Sequence, residues 1–242
     1  MKNVDNTGFI STLNNMGFML EELDEFSSEF VEHASKSEGH SLDVGCAFGV
    51  ATLPAILKGA KIVASDVHKE HLTILDSKVP AHLKKNLMLH EGFFPENFVE
   101  RFGKDFFENI LVSRVLHFLE GKEIEKCFDV LFQILKPGGR GFITNETPYL
   151  KNVQNFIDTY KSRLRENVEW PGEIHNFKDI DKRAGVNLPN FMHLLDIPVL
   201  ERVSRQFGFI IERCSYIKRK NFPKDIILDG KESVGIIIQK PV

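Results

Sequence analysis

Residues 41–66 read SLDVGCAFGVATLPAILKGAKIVASD, and this stretch decides the fold. Residues 41–44 make a short apolar strand, and residues 43–49 a glycine-bearing turn. Residues 50–58 then carry Leu53, Ile56 and Leu57 at helical spacing before Gly59, and residues 61–65 form a second apolar strand ending on Asp66. Strand, helix and strand in so short a span predict a right-handed parallel crossover unit. Pro54 conflicts with the helix, because it has no N–H to donate and is expected to kink it.

The same alternation runs on downstream. Residues 70–75 read as a helix, 86–90 as a strand, 95–102 as a loop with a short helix, 109–113 as a strand and 124–135 as a helix with Cys127, Phe128, Leu131, Phe132 and Leu135 on its buried side. Lys136-Pro137-Gly138-Gly139 stops that helix, since proline cannot continue it and glycine permits a positive φ. A strand over 141–145 follows. These lengths predict an α/β doubly wound parallel sheet. After a helix over 199–207, strands at 209–217 and 233–239 are joined by the basic, turn-rich run Lys218-Arg219-Lys220-Asn221. So short a connection predicts an antiparallel pair, and the basic run is expected to be solvated.

Two segments stand outside the alternation. Residues 7–38 read as helical: Leu23, Phe26, Phe30, Val31 and Ala34 share one stripe, preceded by a looser apolar stretch around Gly17. Residues 146–197 contain an amphipathic helix (Leu150, Val153, Phe156, Ile157, Tyr160, Leu164) and then an irregular run holding Trp170-Pro171-Gly172 and Leu188-Pro189. This is far longer than an ordinary connection. It leaves the C-terminal edge of the sheet, where α/β proteins bind ligands, and is therefore expected to cover the site. The chain divides into a helical N-terminal extension (1–39), a core (40–146 plus 198–242) and a lid (147–197).

Composition excludes several classes. A length of 242 residues suits one domain with an elaboration. A formal charge of −3 and a pI near 6.3 give no nucleic-acid footprint. Acids predominate in residues 1–39 and bases in 151–242, as expected of solvated surfaces. Neither a signal-like apolar stretch nor a run long enough to cross a membrane is found, so a cytoplasmic location is expected. Cys46, Cys127 and Cys214 lie too far apart for a disulfide framework or a zinc site. His68 and His71 lack further ligands and read as surface residues, so no metal is expected. The 21 phenylalanines against one tryptophan favour a Phe-rich pocket and an apolar or aromatic small molecule.

The turn at 43–49 lets a ligand approach the backbone. Asp66 ends the next strand, where a carboxylate can accept both hydroxyls of a ribose, and Glu91 ends the third. A dinucleotide fingerprint needs glycine where Val50 stands. Asp43, two residues before the first glycine, serves a pyrophosphate poorly. It serves a ligand with an amino-acid tail and a sulfonium charge well.

On these residues the chain resembles a class I S-adenosylmethionine-dependent methyltransferase, over roughly residues 40–146 and the last two strands. Asp43-Val44-Gly45-Cys46-Ala47-Phe48-Gly49 resembles the family's acid-x-G-x-G-x-G loop, with Ala47 in place of the middle glycine. Asp66 matches its ribose-binding acid, and His90-Glu91-Gly92-Phe93 stands where the family has Gly-Asp-Ala. The stretch from Phe107 to His117 resembles the fourth-strand motif, with Glu108 for its usual aspartate. Leu135 to Gly139 resembles the L-K-P-G-G turn, and Phe207-Gly208-Phe209 the opening of the sixth strand.

The resemblance implies a Rossmann-like seven-stranded sheet of order 3-2-1-4-5-7-6 with strand 7 antiparallel. It implies S-adenosylmethionine as cofactor, S-adenosylhomocysteine as product and in-line methyl transfer, with a small molecule as the favoured acceptor. The implied cofactor residues are Asp43, Gly45, Cys46, Ala47, Gly49, Asp66, Val67, Glu91, Gly92, Phe93 and Ser113. His117 is the candidate general base, Glu146 and Arg114 are candidates to orient the substrate, and Tyr149, Trp170, His175 and His193 are candidate lid residues lining the pocket. A protein or RNA acceptor, or a binding module that has kept the fold without catalysis, are the alternatives.

Overall fold

In the computed structural model, residues 9–14, 16–181, 188–219, 222 and 224–242 are described. Seven strands form one sheet: β3 (His40–Val44), β4 (Lys61–Asp66), β5 (Leu87–Glu91), β6 (Phe107–Ser113), β7 (Leu135–Glu146), β10 (Ile210–Ile217) and β11 (Ser233–Gln239). Their spatial order is β5-β4-β3-β6-β7-β11-β10. The first five are mutually parallel, and β11 runs antiparallel to both neighbours, β7 and β10. Counted along the sheet strands alone this is the expected 3-2-1-4-5-7-6 order.

Helices cover both faces. α1 (Glu25–Lys36), α2 (Thr52–Leu57) and α3 (Lys69–Lys78) bury Phe26, Phe30, Ile56 and Leu75 against Ile62, Phe142 and Ile237. On the other face α4 (Phe98–Phe102), α5 (Gly121–Ile134) and α8 (Ile197–Gln206) bury Phe98, Phe128, Leu131 and Leu200 against Ile110, Val112 and Ile143. Each such side chain contributes about 1.5–3 kcal/mol by leaving water. Pro54 does not kink α2. It is the helix's third residue, in the first turn, where N–H groups have no intrahelical partner to lose.

The N-terminal reading needs correction. Residues 9–14 and 16–20 are not helical: β1 (Phe9–Ser11) and β2 (Phe18–Leu20) form an antiparallel hairpin. Gly17 takes φ +102° in its turn, and the Asn14 side chain accepts a bond from the Met16 N–H, the local chemistry of a turn. The helix starts only at Glu25, where the Asp24 carboxylate accepts the Ser27 N–H at 2.8 Å. Residues 7, 8 and 15 of the expected helix lie outside the described residues.

The long insertion has an apolar core of its own. A 3-10 turn over Lys151–Phe156 runs into α6 (Ile157–Arg165), then come the two-residue strands β8 (Glu173–Ile174) and β9 (Met192–His193), with α7 (Phe177–Ile180) between them. Leu150, Val153, Tyr160, Ile174, Phe177 and Met192 pack together, and Phe222, Leu20 and Phe118 join them from outside the insertion. The expected helix over this stretch is broken at Val153 (φ −114°, ψ 18°). Among the described residues no helix is long and apolar enough to cross a membrane.

Candidate active site

The turn after β3 is shaped by close approach. Gly45 takes φ +66°, and a Cβ there would lie 2.6 Å from the Val115 side chain. Ala47 takes φ +45°, a left-handed conformation that costs a non-glycine residue about 1 kcal/mol. The conformation is held from β4: Cys46 N–H donates to Ser65 O at 3.0 Å, and Ala47 N–H to Asp66 Oδ2 at 2.9 Å.

Above the strand ends lies a cavity of about 320 Å³. Asp43, Gly45, Cys46, Ala47, Asp66, Val67, Gly92, Phe93 and Ser113 all line it, so the structure brings most of the expected cofactor set together. Two members are not there. Gly49 packs against α3, where a Cβ would stand 2.2 Å from Leu75, which makes it a packing glycine. Glu91 ends the sheet's edge strand with its side chain in solvent and does not line the cavity.

Asp66 is almost fully buried and internally bonded. Its Oδ1 accepts from His68 N–H at 2.8 Å and from His71 Nδ1 at 3.0 Å. His71 Nε2 in turn accepts the Leu13 N–H at 3.0 Å, so the ring proton must be on Nδ1. His71 is therefore buried, not on the surface, and it ties the N-terminal hairpin to Asp66. No cluster that could hold a metal exists among the described residues.

Three features fit S-adenosylmethionine. Asp66 Oδ2 has one bond and keeps room to accept another. Val67 and Phe93, 50% and 41% exposed, offer apolar faces at the cavity's edge for a base. Asp43 is a buried carboxylate that accepts from Thr52 Oγ1 at 2.6 Å and has no cationic partner among the described residues.

Burial raises the Asp43 pKa to about 7, with the Thr52 bond opposing and the Asp66 charge adding to the shift. The raised value contributes stability at low pH that is lost as pH rises through about 7. A bound cation reverses this by favouring the carboxylate, so binding must expel the proton held below that pH. S-adenosylhomocysteine, whose ammonium supplies the cation, is expected to bind more weakly below neutrality, by up to about tenfold per pH unit. Calorimetry between pH 5.5 and 8 checks this, and Asp43→Asn is expected to flatten the profile.

The other half of the cavity has a continuous polar wall. Asp24 Oδ2 lies 3.3 Å from Arg219 Nη1, and Arg219 Nε donates to Ser233 Oγ at 3.1 Å. Ser233 Oγ donates to Glu146 Oε2 at 2.6 Å, and Glu146 Oε1 lies 2.7 Å from Arg114 Nη2. Arg114 sits just past β6 at φ +59°, a strained position for a long side chain. The basic run is thus not simply solvated: Lys218 is exposed, but Arg219 turns inward and is 8% exposed. Lys220 and Asn221 lie outside the described residues.

His117 also lines the cavity and is buried. Burial, with the Arg114 charge adding to it, lowers its pKa to about 3, so the ring is neutral near pH 7. None of the four expected lid residues reaches the cavity. Tyr149 donates to Asp196, and Trp170 stacks under Arg202 and over Gly121. His175 is exposed beside Glu173, and His193 is buried with Nδ1 on Leu119 O at 3.0 Å. The insertion contributes Leu150, Asn152, Phe177, Leu188, Met192 and Leu194 instead. Sequence reasoning also missed Asp24, Arg219 and Phe222. The only local signal was the basic run, which does not say which of its side chains turns inward.

A methyltransferase-domain family matches residues 42–139. No curated protein matches the chain. Solved structures that match include a SAM-dependent methyltransferase from Methanosarcina mazei (17% identity over 88% of this chain and 97% of that one, TM-score 0.61) and an S-adenosylmethionine-dependent methyltransferase from Mesorhizobium loti (18%, 88% and 97%, TM-score 0.62). Another is the 1,6-didemethyltoxoflavin-N1-methyltransferase of Burkholderia thailandensis, which holds 1,6-didemethyltoxoflavin and S-adenosylhomocysteine (14%, 90% and 77%, TM-score 0.61). Sheet order, strand-end cavity and domain match define an S-adenosylmethionine-dependent methyltransferase. Residues 42–139 carry the methyltransferase domain, and the sheet around them has the class I strand order.

Proposed function

We propose that the chain methylates a small, partly apolar molecule enclosed above the strand edge. The carrying observation is the composition of the cavity's roof, which comes from three segments distant in sequence. They are the hairpin with the start of α1 (Met16, Leu20, Asp24), the insertion (Leu150, Phe177, Met192) and the stretch after β10 (Arg219, Phe222, Ile226). Between them they bring Phe118, Phe177, Leu188, Met192 and Phe222 to the wall, a surface suited to an apolar body. The small molecule bound by the Burkholderia enzyme supports the same reading.

When bound, S-adenosylmethionine supplies an electrophilic methyl group on a sulfonium. The chain's residues orient and dehydrate the acceptor. Asp43 and Asp66 hold the cofactor's charged tail and ribose, and the hairpin, tied down through His71, keeps water out. A His117 held near a pKa of 3 is too weak a base to store a proton at neutral pH, and it serves as a neutral hydrogen-bonding group beside Arg114. The test incubates the protein with methyl-labelled S-adenosylmethionine and a metabolite extract, followed by mass spectrometry. Label is expected in small molecules. Label in no small molecule of the extract, with label appearing once cellular protein or RNA is added, would sink the small-molecule reading, and failure to bind either S-adenosylmethionine or S-adenosylhomocysteine would sink the enzyme reading.

A further inference from the structure

The polar wall is unevenly satisfied. Both its acids are spent on the protein itself: Asp24 holds Ser27 N–H and Arg219, and Glu146 holds Ser233 and Arg114. The arginines are not. Arg219 Nη2 makes no hydrogen bond among the described residues. Nor does Arg114 Nε, while Arg114 Nη2 is ion-paired with Glu146 at 2.7 Å. Buried donors without partners are rare in folded proteins, and these belong to residues that line the cavity. The surplus at this pole is therefore of donors and not of acceptors.

Both guanidinium groups also hold the ring of Phe222, with their central carbons 5.2 and 5.3 Å from its centroid. Two like charges thus meet at one apolar ring. Burial and the Arg219 charge together lower the Arg114 pKa to about 10, and the Arg219 influence exceeds the opposing one of Glu146. An anion placed between them removes both costs.

We propose that Arg114 and Arg219 bind a carboxylate carried by the methyl acceptor, whose apolar remainder lies against Phe118, Phe177 and Met192. The proposal rests on the methyltransferase reading and narrows its substrate to apolar carboxylic acids. Planar guanidinium forks match a carboxylate's two oxygens. Because the two internal acids already match the formal charge of the two arginines, the pole offers spare N–H donors and no net positive charge, and it suits a monoanion better than a dianion. Arg219 and Arg114 act here by fixing the acceptor's orientation and selecting its class.

The test uses the protein saturated with S-adenosylhomocysteine and, as probes, benzoate, phenylacetate and hexanoate, each beside its primary amide, together with phenyl phosphate. At least one acid is expected to bind about tenfold or more tighter than its amide by calorimetry, because the amide loses the charge-assisted bonds. Arg219→Gln and Arg114→Gln are each expected to remove about tenfold of that preference while S-adenosylhomocysteine affinity stays within about threefold, with Arg219→Lys retaining part of it. Equal binding of acids and amides, no binding of any acid, tighter binding of phenyl phosphate, or variants that keep the full preference would each overturn the proposal. The acid–amide comparison in the unaltered protein needs no variant to fold. Cofactor affinity in the unaltered protein reports separately on the methyltransferase reading.

Discussion

Asp66→Ala is expected to raise the dissociation constant of S-adenosylhomocysteine about 10- to 100-fold, the loss of one or two charge-assisted hydrogen bonds to the ribose (1–3 kcal/mol). The same change also removes the acceptor for three internal donors, of which the His71 ring is fully buried. Ala47 N–H, His68 N–H and His71 Nδ1 all donate to this carboxylate, and each donor left unmet costs about 1–3 kcal/mol. The variant should therefore melt earlier as well as bind more weakly. Asp66→Asn separates the two effects, since it preserves shape but presents an amide N–H to donors on one side. Calorimetry and thermal melting of the two variants give the measurement. Unchanged affinity in Asp66→Ala, with the protein still folded, would mean that the ribose does not reach this strand end.

The second large effect is one of stability. All three tyrosines of the chain converge on Asp196: Tyr149 and Tyr160 donate to Oδ2 at 2.8 and 3.2 Å, and Tyr216 donates to Oδ1 at 2.8 Å. Asp196 also caps α8 through the Ile197 N–H at 2.7 Å. Burial together with the Asp196 charge raises the Tyr149 pKa to about 12 and raises those of Tyr160 and Tyr216 as well, so all three remain donors. This aspartate joins the insertion, α8 and β10. Asp196→Ala leaves several hydroxyls unpaired at once and is expected to cost about 3–5 kcal/mol. Tyr216→Phe removes a single donor and is expected to cost about 1 kcal/mol. Urea unfolding of both variants measures the difference. A midpoint for Asp196→Ala equal to that of Tyr216→Phe would show that the cluster does not act as a unit.

The elements that were legible beforehand share a property: their determinants are local. The 41–66 unit, the end of α5 before Leu135 and the terminal strand pair each carry their own apolar period or stop chemistry within a few residues, although residues 135–139 join β7 and do not form a separate turn. That suffices for the sheet order and for bringing Asp43, Gly45 and Asp66 to one cavity at the strand ends. Local readings failed where the pattern was ambiguous. The sparse apolar residues around Gly17 suit either a hairpin or a helix, and the turn at Asn14–Gly17 with its pairing to β2 decided for the hairpin.

The glycine turn and strand-end acids of residues 41–66, with the later strands' apolar patterns, determined the α/β sheet by themselves, and their resemblance to a known family pointed to a methyltransferase using S-adenosylmethionine. The polar half of the cavity was decided by tertiary structure alone. Its polar wall joins Asp24, Arg114, Glu146, Arg219 and Ser233 from five separate segments, and its chemistry lies in which N–H groups those contacts leave over. Nothing within a few residues of Arg219 distinguishes it from the exposed Lys218 beside it. Contacts with Asp24, Ser233 and Phe222 hold Arg219 inward while Lys218 stays in water, because the cost of burying a charge depends on partners that are distant along the chain.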